Sequence, residues 1–147
     1  MNYKKTHIGS YGIIINNDQI VLIKKAKGGY KGKLDLPGGG IEHKETPTET
    51  LKRELFEEAG VEIMGYSLLD VASTNIKCQL PNNNWEDLHH IGIIYTVKIK
   101  NQKLKSTPDG LDSLGAMWYN INELNRKKLS PFTIFSLEKL GYQLKNE

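Results

Sequence analysis

Short apolar runs alternate with polar breaks in the first part of the chain. Residues 10–15 and 20–23 are rich in isoleucine and valine, and the polar residues 16–19 lie between them. Two such runs around a short polar break predict a β-hairpin. The unbroken apolar run from Ile13 to Ile15 predicts a strand that is covered on both faces, as in a sheet between helices.

The period then changes, and a helix is predicted from about Pro47 to Ala59. Thr46 is a good N-cap, Pro47 suits the first helical position, and Glu49 completes a capping box with Thr46. Gly60 can take the left-handed conformation that ends helices. One stripe of this helix is apolar and should face the sheet; it consists of Leu51, Leu55 and Ala59.

The remainder of the chain continues the alternation of strands and a helix. Residues 61–72 predict one or two strands broken at Gly65, whereas 73–80 are ambiguous. Residues 89–99 predict a strand of the central sheet, in which His89 and His90 point to opposite faces. A short strand is predicted at 116–119, and residues 131–144 suit a terminal amphipathic helix. These elements predict an α/β fold with helices packed on a sheet.

Composition narrows the class of protein. With 147 residues, of which 38% are hydrophobic, the chain is long enough for a single compact domain over residues 1–147. A net charge of +3 is too mild for the basic stripe of a duplex nucleic-acid binder. The single cysteine, Cys78, excludes an internal disulfide, and no apolar stretch suggests a signal peptide or a membrane span. We therefore expect a cytoplasmic protein.

Three carboxylates of the predicted helix indicate chemistry. Glu54, Glu57 and Glu58 should converge on one side of the helix near its C-terminus, aimed at solvent, where the helix dipole disfavours negative charge. Such acids either form an ordinary solvated helix face or share a cation. Mg²⁺ or Mn²⁺ would fit best, because hard divalent ions take carboxylate oxygens and keep waters that substrate phosphates can replace.

The spacing around these acids resembles the Nudix box, and the resemblance extends over nearly the whole chain. The residues that carry it are Gly39, Glu45, Arg53-Glu54-Leu55, Glu57-Glu58 and Gly60-Val61. The resemblance implies a Nudix-like α/β/α sandwich with a mixed central sheet. It also implies metal-dependent hydrolysis of a phosphoanhydride bond in a nucleoside diphosphate linked to another group.

The resemblance also implies roles for individual residues. Glu57 and Glu58 would be the principal metal ligands, with the backbone carbonyl of Gly39, and Glu54 would be either a ligand or the general base. Arg53 would hold Glu54 or Glu45 in place by charged hydrogen bonds. Glu45 itself would be a supporting acid.

Two further residues have two interpretations each. Asp112 lies in a loop where some relatives carry an additional metal ligand or base, but an aspartate there can also simply cap a turn. Trp85 lies in a polar stretch and either stacks on a nucleobase or covers the edge of the sheet. The five lysines of residues 24–33 form a basic loop that either meets substrate phosphates or is solvated surface.

Three functions are compatible with the box. The first is hydrolysis of a nucleoside triphosphate to the monophosphate and pyrophosphate, as in MutT-like enzymes. The second is a pyrophosphatase for ADP-ribose, a sugar nucleotide or a dinucleotide. The third, a non-catalytic nucleotide-binding regulator, is disfavoured because all the acids are present. Each takes a small-molecule nucleotide as partner, with no duplex nucleic acid and no membrane, and the oligomeric state is not predicted.

Overall fold

The computed structural model describes residues 2–105 and 113–146, and this part of the chain forms eight strands and two α-helices. Three-residue 3₁₀ helices at Ile121–Glu123 and Arg126–Lys128 join the last strand to the last helix. The strands are β1 Asn2–Ile13, β2 Ile15–Asn16, β3 Gln19–Lys25, β4 Leu34–Asp35, β5 Gly38–Gly40, β6 Ile63–Gln79, β7 Trp85–Ile99 and β8 Ser113–Asn120; the helices are α1 Pro47–Ala59 and α2 Pro131–Lys139.

The larger sheet is mixed and has the order β5-β1-β7-β6. Strand β1 runs parallel to β7 and antiparallel to β5, and β6 is antiparallel to β7. The predicted α/β fold with a mixed sheet is thereby confirmed. Strand β6 is not broken at Gly65, because the register shifts there and again between Leu68 and Asp70, so two irregularities absorb the bend within one strand.

The smaller sheet is antiparallel, with β3 between β2 and β4 and with β8 also paired to β3. The predicted hairpin is confirmed where Ile15 pairs with Ile20, and its turn residues Asn17 and Asp18 have positive φ angles of 50° and 61°. The hairpin is shorter than predicted, because the chain changes sheets at Ile14 and the preceding residues belong to β1.

Two apolar clusters form the core, one under each helix. Strand β3 contributes to both, since Val21 and Ile23 pack with α1 whereas Ile20 and Leu22 pack with α2. Ile13 and Ile14 divide in the same way, Ile13 with the α2 cluster and Ile14 with the α1 cluster, which is the two-sided cover that the run from Ile13 to Ile15 predicted. The stripe of α1 is completely buried, and α2 adds its own buried residues, namely Phe132 and Leu137.

Helix α1 has the bounds that the sequence predicted. The Oγ1 of Thr46 accepts a hydrogen bond from the Glu49 N–H (3.2 Å), and the Thr46 N–H donates to Glu49 Oε1 (2.9 Å). Gly60 ends the helix with a φ of 68°. Helix α2 ends five residues earlier than predicted, because the chain turns at Gly141, whose φ is 94°.

Within the described ranges, every helix is too short or too polar to cross a bilayer.

Candidate active site

A cleft of about 1020 Å³ opens on the mixed sheet, between the glycine segment Gly38–Gly40, α1 and the loop that follows β3. All three glutamates of the predicted metal site line it, and so do Gly38, Gly39 and Gly40. The cleft also has a basic side, formed by Lys5, Lys25, Lys27 and Lys31. The acids and the lysines therefore share one concave surface.

Arg53 links the acids of α1 to the preceding loop. Its Nε and Nη2 donate to the two carboxylate oxygens of Glu45 (2.7 and 2.9 Å), and its Nη1 donates to Glu54 Oε1 (2.8 Å). Nη2 also donates to the carbonyl of Gly40 (3.2 Å). The contacts predicted for Arg53 are therefore present, and the guanidinium holds Glu54 at a fixed distance from the glycine segment.

Glu45 is itself fixed by several hydrogen bonds. Besides the guanidinium, the Thr50 hydroxyl (2.7 Å) and the Glu42 N–H (3.0 Å) donate to its Oε1. These hydrogen bonds, with that of Arg53 the strongest, lower the pKa of Glu45 to about 2. Glu45 is therefore a charged anchor for Arg53 at any ordinary pH, and the pKa of Arg53 is raised by the same contact.

The carboxyl group of Glu54 lies directly against the backbone of Gly39. A Cβ atom at position 39 would come within 2.6 Å of the Glu54 Cδ, which is far inside van der Waals contact. Glycine is therefore required here for close approach. The side chain of Glu54 is only 17% exposed, so this carboxylate lies at the inner wall of the cleft.

Glu58 is buried, which corrects the expectation that all three acids aim at solvent. The residue is 7% exposed, and the N–H of Gly38 donates to its Oε1 (2.7 Å). Glu58 is adjacent to the apolar stripe of α1, and the glycine segment covers it and supplies the donor that a buried carboxylate needs. Glu57 is different, because its side chain is 57% exposed and its contact with Arg53 Nη1 is long (3.4 Å).

The donor set fits a hard divalent cation. Carboxylates of Glu54, Glu57 and Glu58 and the backbone of Gly39 offer only oxygen ligands, the type that Mg²⁺ and Mn²⁺ take. Among the described residues, no three side chains of His, Cys, Asp or Glu are already close enough to enclose a metal. Mg²⁺ is commonly bound by one or two carboxylates together with substrate phosphates, so a complete protein cage is not required.

A buried polar cluster at the floor of the cleft was not predicted from the sequence. The Nε2 of His90 lies 2.6 Å from the Tyr11 hydroxyl, and its Nδ1 lies 2.9 Å from the Tyr30 hydroxyl. His90 is 4% exposed; burial, together with His7 and Lys25, lowers its pKa to about 4. The prediction that His89 and His90 face opposite sides is confirmed, because His89 lies instead beside the Ser73 hydroxyl (2.9 Å).

Asp35 is a second buried acid that lines the cleft. Its Oδ1 accepts hydrogen bonds from the Leu36 N–H (2.9 Å) and from the Ser130 hydroxyl (2.6 Å). Its charge adds to burial in raising the pKa of Tyr11 and of Tyr30. In the sequence, the only signal for the burial of Asp35 is that this acid lies between two leucines.

Of the predicted site residues, Trp85 is not placed in the cleft. Trp85 is half-exposed at the first position of β7 and does not line the cleft, whereas its neighbour Glu86 does. Successive residues of a strand point to opposite faces, so Trp85 faces away and the stacking role is not supported. Asp112 lies outside the described residues.

Comparisons with known proteins agree with this architecture. A family model, the NUDIX domain, matches residues 5–138. The ADP-ribose pyrophosphatase of Methanocaldococcus jannaschii is 34% identical over 113 residues, or 77% of this chain and 61% of that protein. The 8-oxo-dGTP diphosphatase of Escherichia coli is 41% identical over 69 residues, or 46% of this chain and 53% of that protein. This chain therefore covers only part of the length of each of these two curated relatives.

Among solved structures, the MutT NUDIX hydrolase from Burkholderia pseudomallei has a TM-score of 0.73 with this chain. The two are 22% identical, and the match covers 92% of this chain and 98% of the other. The likeness confirms the fold that the resemblance implied.

Proposed function

The chain belongs to the NUDIX family, and on that premise we propose that it hydrolyses a phosphoanhydride bond in a nucleoside diphosphate linked to another group. The observation that carries the proposal is the position of Glu54. Its carboxylate lies between the guanidinium of Arg53 and the backbone of Gly39, inside a cleft large enough for a nucleotide. If the acids only formed a solvated helix face, nothing would require the Glu54 carboxylate to be fixed between Arg53 and Gly39.

Glu57, Glu58 and Glu54, with the carbonyl of Gly39, would hold Mg²⁺ or Mn²⁺. A bound divalent cation neutralises the phosphates and lowers the pKa of a water molecule. The chain's own contribution is to orient these oxygens. Glu54 would serve either as a third ligand or as the base that accepts a proton from the attacking water, and Asp112, in the part of the chain that is not described, stays an alternative base.

Arg53 and Glu45 act by positioning rather than by touching substrate. The paired hydrogen bonds between them fix the guanidinium, and the guanidinium in turn fixes Glu54. We propose that residues 1–147 carry this activity as one domain.

Two substrate classes remain, and each has support. Release of pyrophosphate from a nucleoside triphosphate is supported by the relative named 8-oxo-dGTP diphosphatase, although it matches less than half of this chain. Cleavage of an ADP-ribose-like compound to two monophosphates is supported by the ADP-ribose pyrophosphatase, which matches 77% of this chain. We take the triphosphate as the first candidate and ADP-ribose as the second.

Product analysis separates the two. The purified protein is incubated with Mg²⁺ and a panel of nucleoside triphosphates, ADP-ribose and dinucleotides, and the products are identified by chromatography and a pyrophosphate assay. Nucleoside monophosphate with pyrophosphate supports the first candidate, and two monophosphates without pyrophosphate support the second. Binding of nucleotides without any turnover would contradict the proposal and favour a regulator.

The acid that is most exposed provides the mutational test. Replacing Glu57 with Gln keeps the shape but removes the charge, so we expect kcat to fall on the order of 100-fold or more with an unchanged melting temperature. Glu62→Gln is the matched control, because Glu62 is also exposed but pairs with Lys100 away from the cleft. Wild-type turnover in a folded Glu57→Gln variant would contradict the assignment.

A further inference from the structure

Four lysines line the cleft: Lys5, Lys25, Lys27 and Lys31. Three of them come from the basic loop of residues 24–33, whose remaining lysines are placed differently. Lys24 is exposed and does not line the cleft, and Lys33 donates to the carbonyl of Lys127 (3.0 Å). The structure therefore shows which lysines of this loop line the cleft and which do not, and the sequence alone could not show this.

The register of β1 gives the separation between the backbone of Lys5 and that of Gly39, against which Glu54 lies. Ser10 pairs with Gly39, which carries Glu54 against its backbone, and Lys5 lies five residues before Ser10 on the same strand. At about 3.3 Å per residue the two backbones are roughly 16 Å apart. The flexible side chain of Lys5 can shorten this separation, so its ammonium group can lie about one nucleoside away from the glycine segment that holds Glu54.

The loop that presents these lysines is fixed at several points. The N–H of Lys25 donates to the carbonyl of Lys33 (3.0 Å), and the N–H of Gly32 donates back to Lys25 (2.9 Å). Tyr30, in the middle of the loop, is buried and its hydroxyl lies 2.9 Å from His90 Nδ1. A Cβ atom at Gly29 would be 3.2 Å from Ile76, so the loop also packs against β6.

The electrostatic balance at this end of the cleft is positive. Glu86 lines the cleft beside these lysines and acts on the nearby His7, and the buried Asp35, which also lines the cleft, acts on Tyr30 of the loop. Burial lowers the pKa of His7 first, Lys5 and Lys25 lower it further, and Glu86 opposes them more weakly. The lysines therefore outweigh Glu86 at the wall of the cleft.

We propose that this lysine side is a binding subsite for a second anionic group of the substrate, a phosphate ester carried on the nucleoside away from the scissile anhydride. The proposal rests on the proposed function, because it takes the acids of α1 as the place where the anhydride is cleaved. A phosphate ester would gain charge-assisted hydrogen bonds from lysines whose backbone is fixed by β1 and by the hydrogen bonds of the loop.

The test compares two ligands that differ in one phosphate, AMP and adenosine 3′,5′-bisphosphate. Their dissociation constants are measured by calorimetry at millimolar Mg²⁺, so that the readout does not depend on turnover. We expect the bisphosphate to bind about tenfold more tightly than AMP to the wild-type protein, the size of one good charge-assisted contact. In the double variant Lys5→Gln/Lys25→Gln this preference should disappear.

The matched control is Lys4→Gln/Lys24→Gln. It removes the same charge from the adjacent positions, neither of which lines the cleft, and it should keep the wild-type preference. A second variant, Lys27→Gln/Lys31→Gln, changes only exposed loop residues and should also reduce the preference if the first variant does not fold.

Equal affinity for AMP and the bisphosphate, or no binding of either, would overturn the proposal, as would an equal loss in the control variant. If the protein hydrolyses no nucleotide but still binds the bisphosphate more tightly than AMP, the proposed function is refuted and the anion subsite is retained.

Discussion

At the scale of single residues, Arg53 determines how three glutamates can share one helix face. From spacing alone, like charges should repel, so that Glu54→Gln would stabilise the metal-free protein. The structure places Arg53 between Glu45 and Glu54, so the charge of Glu54 is already compensated and Glu54→Gln is not expected to stabilise the protein. The resemblance implied that Arg53 holds Glu54 or Glu45, and the structure shows that it holds both.

This compensation predicts the effect of a conservative change at position 53. Lys offers one ammonium group instead of a planar fork, so Arg53→Lys cannot bind Glu45, Glu54 and the Gly40 carbonyl together. We expect kcat to fall on the order of 100-fold while the fold is kept, because a small displacement of a positioned group has that effect. Arg126→Lys, at a surface pair with Glu138, is the control and should leave kcat unchanged.

The contact between Gly39 and Glu54 predicts a second residue-scale effect. In Gly39→Ala the new Cβ would displace the Glu54 carboxyl, so we expect turnover to fall by at least about tenfold, the result of moving a catalytic group. Gly65→Ala is the control, since an added Cβ there meets no atom within 4 Å. Equal kcat values for the two variants would show that the close approach has no catalytic role.

At the scale of elements, α1 could be predicted from the sequence to the residue because its start and stop signals are local. The cap, the proline and the terminal glycine all act within one turn. The end of α2 could not be predicted, because Tyr142 and Leu144 pack on the core without being helical and so keep the apolar pattern going. Burial of Glu58 was missed for a related reason, as it depends on a donor from β5.

The capping box of α1 gives an element-scale prediction. Thr46→Ala removes the acceptor for the Glu49 N–H, which typically costs about 1 kcal/mol of unfolding free energy. Urea denaturation followed by circular dichroism measures the change. Thr48→Ala, in the first turn of the same helix, is the comparison and should cost less, because Thr48 does not cap. A loss at position 48 as large as at 46 would contradict this account.

At the scale of the whole molecule, the His90 cluster couples the loop after β3 to the mixed sheet, and this coupling depends on pH. The pKa of His90 is about 4 in the folded protein and 6.5 in its ordinary state. The unfolded chain therefore binds more protons than the folded one between these values. The contribution of His90 to stability is complete above pH 6.5 and is lost as the pH falls towards 4.

The expected loss is up to about 3 kcal/mol of unfolding free energy between pH 6.5 and 4. Chemical denaturation across this range should show it for the wild-type protein, with a clearly shallower slope for His90→Gln. The exposed His43 supplies the control, since His43→Gln should keep the wild-type slope. If His90→Gln kept the full slope, the pH dependence would have to come from other groups.

The change of sheets at Ile14 also belongs to this scale, and no local pattern could have predicted it. Residues 13–15 form one continuous apolar run, yet Ile13 and Ile15 belong to different sheets. The division depends on β7, which lies far along the chain and takes β1 as its parallel neighbour. Pairing with a strand so distant in sequence adds no periodic pattern of apolar residues to β1, so it cannot be predicted from β1 alone.

The same pairing has a consequence for the order in which the chain can assemble. Asn2–Ile13 pairs residue by residue with residues 85–96, so apart from residues 9–11, which also pair with β5, this strand has no partner until residues 85–96 have been synthesised. Pairing across so long a separation must first overcome the entropy of closing a large loop, which slows folding. Closure of the β1–β7 ladder should therefore be a late event in refolding, after α1 and the β6–β7 hairpin have formed.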